Sequence, residues 1–229
     1  KLPEVGKNEK LGVGIACAYK NVGLGSNIPD EAGARVSLEK DGTFLVRHGA
    51  SDMGQCSVQV VATLTSKILG IPLSQIRVHT GDTRRDPHGG MTTASRATFV
   101  TGNAVTKAAE GLKERLWNAV ANEFNTSPDK LIIKDRKFVD TESGRELISL
   151  EDLASGEIKF VNEAHYDAPK TQPPADHVDS HPDVPEAPLH FAYDFGAQVV
   201  ILSVNQESGD VHVRKVIAGP EIPGSKLRL

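Results

Sequence analysis

Apolar and polar positions change period several times along the chain, and each change marks an element. Residues 11–19 are apolar with interspersed small residues, which predicts a strand. Residues 34–39 alternate, with Val36 and Leu38 on one face, and residues 43–47 follow directly after Asp41-Gly42. Asp-Gly favours tight turns, so residues 34–48 are predicted to be a hairpin. Val58, Val61, Ala62, Leu64 and Ile68 then recur at helical spacing, and Gly70 and Pro72 end that helix. Residues 76–80 read as a strand with Ile76 and Val78 on one face, and residues 81–96 as a polar loop. The longest helix starts near Gly102, with Val105, Ala108, Leu112, Leu116, Ala119 and Val120 as its apolar stripe and Phe124 at its end.

Beyond the break at residues 125–128 the pattern becomes finer. Residues 131–133 and 137–140 read as short strands. Ser149 and Asp152 resemble a capping box, with Asp in the usual Glu position, opening a short helix. Residues 169–188 form a proline-rich loop. Residues 191–204 and 211–218 form a second hairpin, turning at Glu207-Ser208-Gly209. Hairpins alongside separate helices imply an α+β fold with antiparallel or mixed sheets and packed helices, not a doubly wound parallel sheet. No repeat at a fixed short period interrupts this order. The expected organisation is one partial domain over residues 1–229. Residues 1–125 would carry the glycine and Ser/Arg loops, and residues 126–229 the small strands, the proline-rich loop and the C-terminal hairpin.

Composition narrows the function classes. The chain has 229 residues, 38% hydrophobic and 24% charged, enough to bury a core. Its net charge of -4 is not that of a nucleic-acid binder. No apolar run approaches the roughly 20 residues of a membrane span, and residues 1–10 lack the apolar centre of a signal peptide. The two cysteines, Cys17 and Cys56, do not make a disulfide framework, and a cytoplasmic setting is expected.

Three segments could carry chemistry. Asp52-Met53-Gly54-Gln55-Cys56 lies between a strand and an amphipathic helix. Glycine lets a ligand approach the backbone, and a helix start offers N–H groups to a phosphate. A plain turn is the simpler reading of that segment alone. Gly89-Gly90-Met91-Thr92-Thr93-Ala94-Ser95-Arg96-Ala97-Thr98 combines glycines, hydroxyls and one guanidinium, an anion cradle or a merely solvated loop. Two such loops, each before a helix, suggest convergence on one polyanionic ligand. Asp176, His177, Asp179, His181 and Asp183 could hold a divalent metal, but a solvated loop is the simpler reading. His48, His79, His165, His190 and His212 are scattered. Cys56 at a helix start could be a reactive thiol, although a small side chain that fits is the simpler account.

Taken together, these motifs resemble the molybdopterin-binding subunit of molybdenum hydroxylases, the xanthine dehydrogenase and aldehyde oxidase family. The family's Gly-Gln-Gly at a helix start and Leu-Gly-Ile/Val-Pro at its end stand here as Gly54-Gln55-Cys56 and Leu69-Gly70-Ile71-Pro72. Asp82-Thr83 follows the next strand. Then come Thr92, Ala94, Ser95, Arg96 and Thr98 in a Thr-x-Ala/Gly-Ser-Arg-x-Thr run, with Gly102 and Ala104 opening a helix. Phe195 to Ala197, a Ser-Gly-Asp turn and a valine-rich return strand continue the likeness, which covers about nine tenths of the chain.

The resemblance implies the second half of a cofactor domain. It implies a molybdenum-molybdopterin cofactor, expected as the cytosine dinucleotide form for a bacterial source. It implies hydroxylation of an N-heterocycle or aldehyde with water-derived oxygen. Gly54, Gln55 and Cys56 would contact the pterin or its phosphate tail, and Thr92, Ala94, Ser95 and Arg96 would line the other side, with Ala94 near molybdenum and substrate. No residue is assigned as a direct metal ligand. The implied partners are the remainder of the molybdenum subunit, an iron–sulfur subunit carrying 2Fe-2S clusters, a flavin subunit carrying FAD, and a small-molecule substrate, with no nucleic acid and no membrane.

Three departures matter. Cys56 stands where the family has glycine. Residues 218–224 do not match the Asp-x-Gly-x-x-Asn-Pro segment that family members carry there. The family's catalytic glutamate belongs to sequence beyond that point, so no catalytic residue is assigned. The expectation is a fragment or split subunit, inactive alone. The alternatives are a degenerate non-catalytic homologue acting as a structural or partner-binding domain, and an unrelated phosphate-binding enzyme.

Overall fold

The computed structural model describes residues 2–171 and 189–221. Its strands are β1 (Glu9–Val22), β2 (Glu31–Leu38), β3 (Phe44–His48), β4 (Ile76–Thr80), β5 (Leu131–Lys134), β6 (Lys137–Asp140), β7 (Glu146–Ser149), β8 (Val161–Asp167), β9 (Ala192–Asn205) and β10 (Val211–Glu221). Its α-helices are α1 (Ser57–Leu69), α2 (Gly102–Phe124) and α3 (Leu150–Ser155). The fold is mixed α+β, as the pattern implies, and the chain divides into two compact units.

The larger unit spans residues 23–190. Its main sheet has the order β4-β3-β2-β8. The predicted hairpin is β2–β3, antiparallel, with Val36 opposite Val46. β4 adds to β3 in parallel through α1, so the two strands end at the same sheet edge. Alternation decides what the sheet buries: Ala32, Ala34, Val36, Phe44 and Val46 have no exposed surface. α1 and α2 pack on each other and against this sheet. The predicted α2 stripe is the buried one: Val105, Ala108, Leu112, Leu116 and Val120 are fully covered.

β8 has no counterpart in the apolar pattern. It lines the free side of β2, and Asn162 on its inner face donates to the Ala108 carbonyl of α2 at 3.3 Å. Ala164 and Tyr166 share that half-buried face, with Tyr166 edge-on to Phe99 and beneath Lys107 of α2. Gly111 makes this approach feasible, since a Cβ there would lie 2.4 Å from the Asn162 side chain. The small sheet β5-β6-β7 packs on the far end of α2 through Trp117, which donates to the Leu131 carbonyl and meets Phe138 edge-on. Ser149 caps α3 by accepting from the Asp152 N–H, as the capping pattern predicts.

The smaller unit joins residues 1–22 to residues 191–229. Its sheet has the order β1-β9-β10, with β1 paired to β9 along its whole length. β9 and β10 form the second predicted hairpin, with a bulge between Val213 and Lys215. Arg214 bridges Glu9 at 2.6 Å and donates to Ser203, tying the three strands together. Val13, Ile15, Tyr19, Phe195, Val213 and Val216 nonetheless leave this sheet with large exposed apolar side chains.

Candidate functional site

The two loops singled out in the sequence leave the main sheet at one edge. Residues 49–56 follow β3, and residues 81–96 follow its parallel neighbour β4. They meet. The Ser51 N–H donates to the Thr92 hydroxyl at 2.9 Å, and the Thr80 hydroxyl donates to the Ala50 carbonyl at 2.7 Å. Gly49 and Gly89 pass so closely that a Cβ on Gly89 would sit 2.4 Å from the Gly49 carbonyl carbon. Glycine is required on steric grounds at this crossing, not for its torsion angles.

In the first loop, Asp52 organises the turn. Its carboxylate accepts from the Gly54 N–H at 2.9 Å, and from the Ser57 hydroxyl and Val58 N–H at 3.1 Å each. The Val58 N–H above all, then that of Gly54, holds this carboxyl below the usual carboxylate range. One first-turn donor of α1 is therefore engaged by the chain's own acid. Gln55 folds back on its loop, donating to the Ser51 carbonyl at 2.8 Å and accepting from the Met53 N–H at 2.5 Å. Gly54 has φ +101°, with open space where a side chain would point. Cys56 occupies the position before α1 in the left-handed region, φ 62°, a conformation that suits glycine, and its thiol is exposed.

In the second loop, Ala94 and Ser95 are consecutive left-handed residues, φ 51° and 53°. Such conformations cost about 1–3 kcal/mol each and persist only where surroundings impose them. Two contacts impose them here. The Ala94 carbonyl accepts from the Gly23 N–H at 2.9 Å. Arg96 is 1% exposed, and it donates to the Asp30 carboxylate, to the Gly89 and Met91 carbonyls at 2.7 and 2.8 Å, and to the Glu31 carbonyl at 2.5 Å. Residues Ala97–Thr101 then make a wide π-turn before α2. Such turns occur often at functional sites.

Beneath the loops, His48 is fully buried. Its Nδ1 accepts from the Ala50 N–H at 3.2 Å, and its Nε2 has no partner. Burial holds the imidazole below its ordinary pKa, against the pull of Asp86 and Asp52. Asp86 itself accepts from the Asp82 N–H, Arg47 and His79, which together outweigh its burial and hold it ionised.

The structure thus brings Gly54, Gln55, Cys56, Thr92, Ala94, Ser95 and Arg96 onto two touching loops. It differs from a simple cradle at Arg96, whose guanidinium points into the protein. Ser51, Thr93, Ser95 and Thr98 are exposed and offer neutral hydrogen-bonding groups, beside the exposed, ionised Asp52. The hydroxyls are of a kind that suits an acceptor-rich pterin, and the open space beside Gly54 leaves room for its approach. The Asp176 to Asp183 group lies outside the described residues. Asp30 escaped the sequence reading because it lies 66 residues from Arg96 with no local signature.

Residues 3–220 match the family described as molybdopterin cofactor-binding domain. The chain belongs to that family. A protein of Bacillus subtilis described as a probable xanthine dehydrogenase component is 27% identical to this molybdopterin-binding domain over 92% of the chain and 27% of the relative. A xanthine dehydrogenase molybdenum-binding subunit of Escherichia coli O157:H7 is 34% identical over 64% of the chain and 20% of the relative. Among solved structures, the domain superposes on CO dehydrogenase from Oligotropha carboxidovorans with TM-score 0.68 and 22% identity, over 92% of this chain and 26% of that one. Aldehyde oxidoreductase from Desulfovibrio gigas gives TM-score 0.66 at 21% identity, over 95% and 21%. These structural likenesses establish the fold. The domain spans about a quarter of the length of the relatives it matches.

Proposed function

We propose that this chain is the part of a molybdenum-binding subunit that forms one wall of the molybdopterin site, in an enzyme that hydroxylates an N-heterocycle or an aldehyde. When bound, the cofactor supplies the two-electron oxidation that adds water-derived oxygen to substrate carbon. The chain's own residues bind and orient it. Gly54 gives backbone access, and Gln55 and the Cys56 turn present the loop before α1. Thr92, Ala94 and Ser95 present the facing loop, and Arg96 fixes its shape from behind. The single observation that carries this reading is the contact of the two motif loops through Ser51 and Thr92.

The same reading assigns the partners. The remaining sequence of the molybdenum subunit would cover the apolar faces of the β1-β9-β10 sheet and supply the catalytic base. An iron–sulfur subunit with 2Fe-2S clusters and a flavin subunit with FAD would take the electrons. Supporting it, the first two relatives above carry xanthine dehydrogenase names. The cytosine dinucleotide form of the pterin and a cytoplasmic setting belong to this proposal. No helix among the described residues is long and apolar enough to cross a membrane.

The test is molybdenum and pterin content of the assembled enzyme, purified gently from its source. Gln55→Ala and Ser95→Ala should each lower cofactor retention several-fold while circular dichroism stays unchanged. Full retention in both variants would refute the assignment of these loops.

A further inference from the structure

The outer face of the β2–β8 pair carries a second constellation, beside the base of the second motif loop, whose Pro87 and His88 lie against Gly33. Glu31 and Asp167 are direct partners across the two antiparallel strands, and His165 is opposite Gly33. Strand alternation puts Glu31, His165 and Asp167 on one face, and Gly33 puts no side chain between them. His165 Nε2 lies 3.2 Å from Glu31 Oε2 and 3.3 Å from Asp167 Oδ1. All three potential ligand atoms lie within 4.8 Å of one another.

Hydrogen bonding accounts for part of this arrangement, through the 3.3 Å contact of His165 Nε2 with Asp167 Oδ1. Like charges directly opposed across strands are destabilising. The neighbouring cation, Arg35, is engaged by Glu163 at 2.6 Å on the same face. His165 Nε2 is hydrogen-bonded to Asp167 Oδ1, but both of its carboxylate separations exceed the roughly 2.7–2.9 Å of a charge-assisted N–H···O bond. The two histidine–carboxylate separations match another geometry, with the Glu31 and Asp167 ligand oxygens within 4.8 Å of each other. Ligands about 2.0–2.1 Å from a tetrahedral ion are separated from each other by about 3.3 Å. The three side chains are 44%, 50% and 79% exposed in the order Glu31, His165, Asp167, so solvent can complete the coordination.

We propose that Glu31, His165 and Asp167 form a binding site for a divalent cation of the zinc class, with water in the fourth position. One nitrogen and two carboxylate oxygens suit such an ion. The ion would clamp the first residue of β2 to the last of β8. Those strand ends also hold the anchor of the second motif loop. Asp30 pairs with Arg96 and accepts from the Ala168 N–H at 2.8 Å, and the Glu31 carbonyl accepts from Arg96. The cation is therefore a structural staple behind that loop. Its binding does not depend on the molybdopterin reading.

The experiment is calorimetric titration of the untagged chain with Zn²⁺, in a His177→Gln/His181→Gln background that removes the imidazoles of the Asp/His-rich stretch. One saturable site is expected, with a rise in Tm on adding Zn²⁺. His165→Gln and Asp167→Asn should each weaken binding at least tenfold and abolish that rise. Glu163→Gln, beside the trio but outside it, should leave affinity unchanged. Absence of saturable uptake in the background chain, or undiminished affinity in His165→Gln, would overturn the proposal.

Discussion

Arg96 and Asp30, 66 residues apart, form an ion pair from which water is almost excluded, with 1% and 5% of their side chains exposed. The guanidinium also donates to three main-chain carbonyls, so both its charge and its donors are compensated. Removing one partner leaves the other buried and unpaired. We predict that Arg96→Ala costs about 3–5 kcal/mol of unfolding free energy. Urea denaturation of the variant checks this, and a loss comparable to that of an exposed arginine would contradict it.

The crossing of Gly49 and Gly89 gives a steric prediction. A methyl group on Gly89 meets backbone atoms that cannot rotate away, and overpacking of a tight contact costs about 1–3 kcal/mol or more. Gly14 in β1 has nothing within 4 Å of the corresponding position. Gly89→Ala should therefore lower Tm markedly while Gly14→Ala leaves it nearly unchanged. Equal effects of the two would dispose of the close-approach argument.

Cys56 holds a left-handed conformation at φ 62° and ψ 30°, which costs a residue with a Cβ about 1–2 kcal/mol. Glycine relieves that strain but loses more entropy on folding. The expected net effect of Cys56→Gly is a stabilisation of up to about 1 kcal/mol. Thermal unfolding in reducing buffer measures it, and a clear destabilisation would mean that the Cys56 Sγ contact with the Gly54 carbonyl, at 3.9 Å, outweighs the strain.

His48 sets an acid limit. Its folded pKa is depressed by burial, so the neutral form is the native one. Above about pH 6.5, the ordinary histidine value, neither state is protonated and the residue adds no pH dependence. Below it the unfolded chain binds a proton first, and folded stability falls. Denaturation at pH 7 and pH 5.5 should show this loss, and the His48 ring resonances should stay neutral at pH 6.5. A ring that titrates normally would remove the basis of the prediction.

The local pattern was sufficient where one element buries one face. The α2 stripe, the β2–β3 hairpin and the Ser149 cap of α3 each follow from residues within a few positions of one another. β8 shows the limit of such reading. Its inward face is half-buried and mixed, Asn162 bonding the Ala108 carbonyl of α2 beside Ala164 and Tyr166, so no run of apolar residues marks it.

The motif loops divide in the same way. Their glycines, hydroxyls and positions before helices were legible along the chain, because backbone freedom and donor chemistry belong to residue types. That the two loops touch was decided by the parallel pairing of β3 and β4 and by the Gly49–Gly89 crossing. That Arg96 turns inward was decided by Asp30, on a strand end its sequence neighbours do not reach. Periodicity records which face of a segment leaves water. Partners across tens of residues are selected by backbone hydrogen bonds and by charge compensation in the folded interior, and only the tertiary structure holds that information.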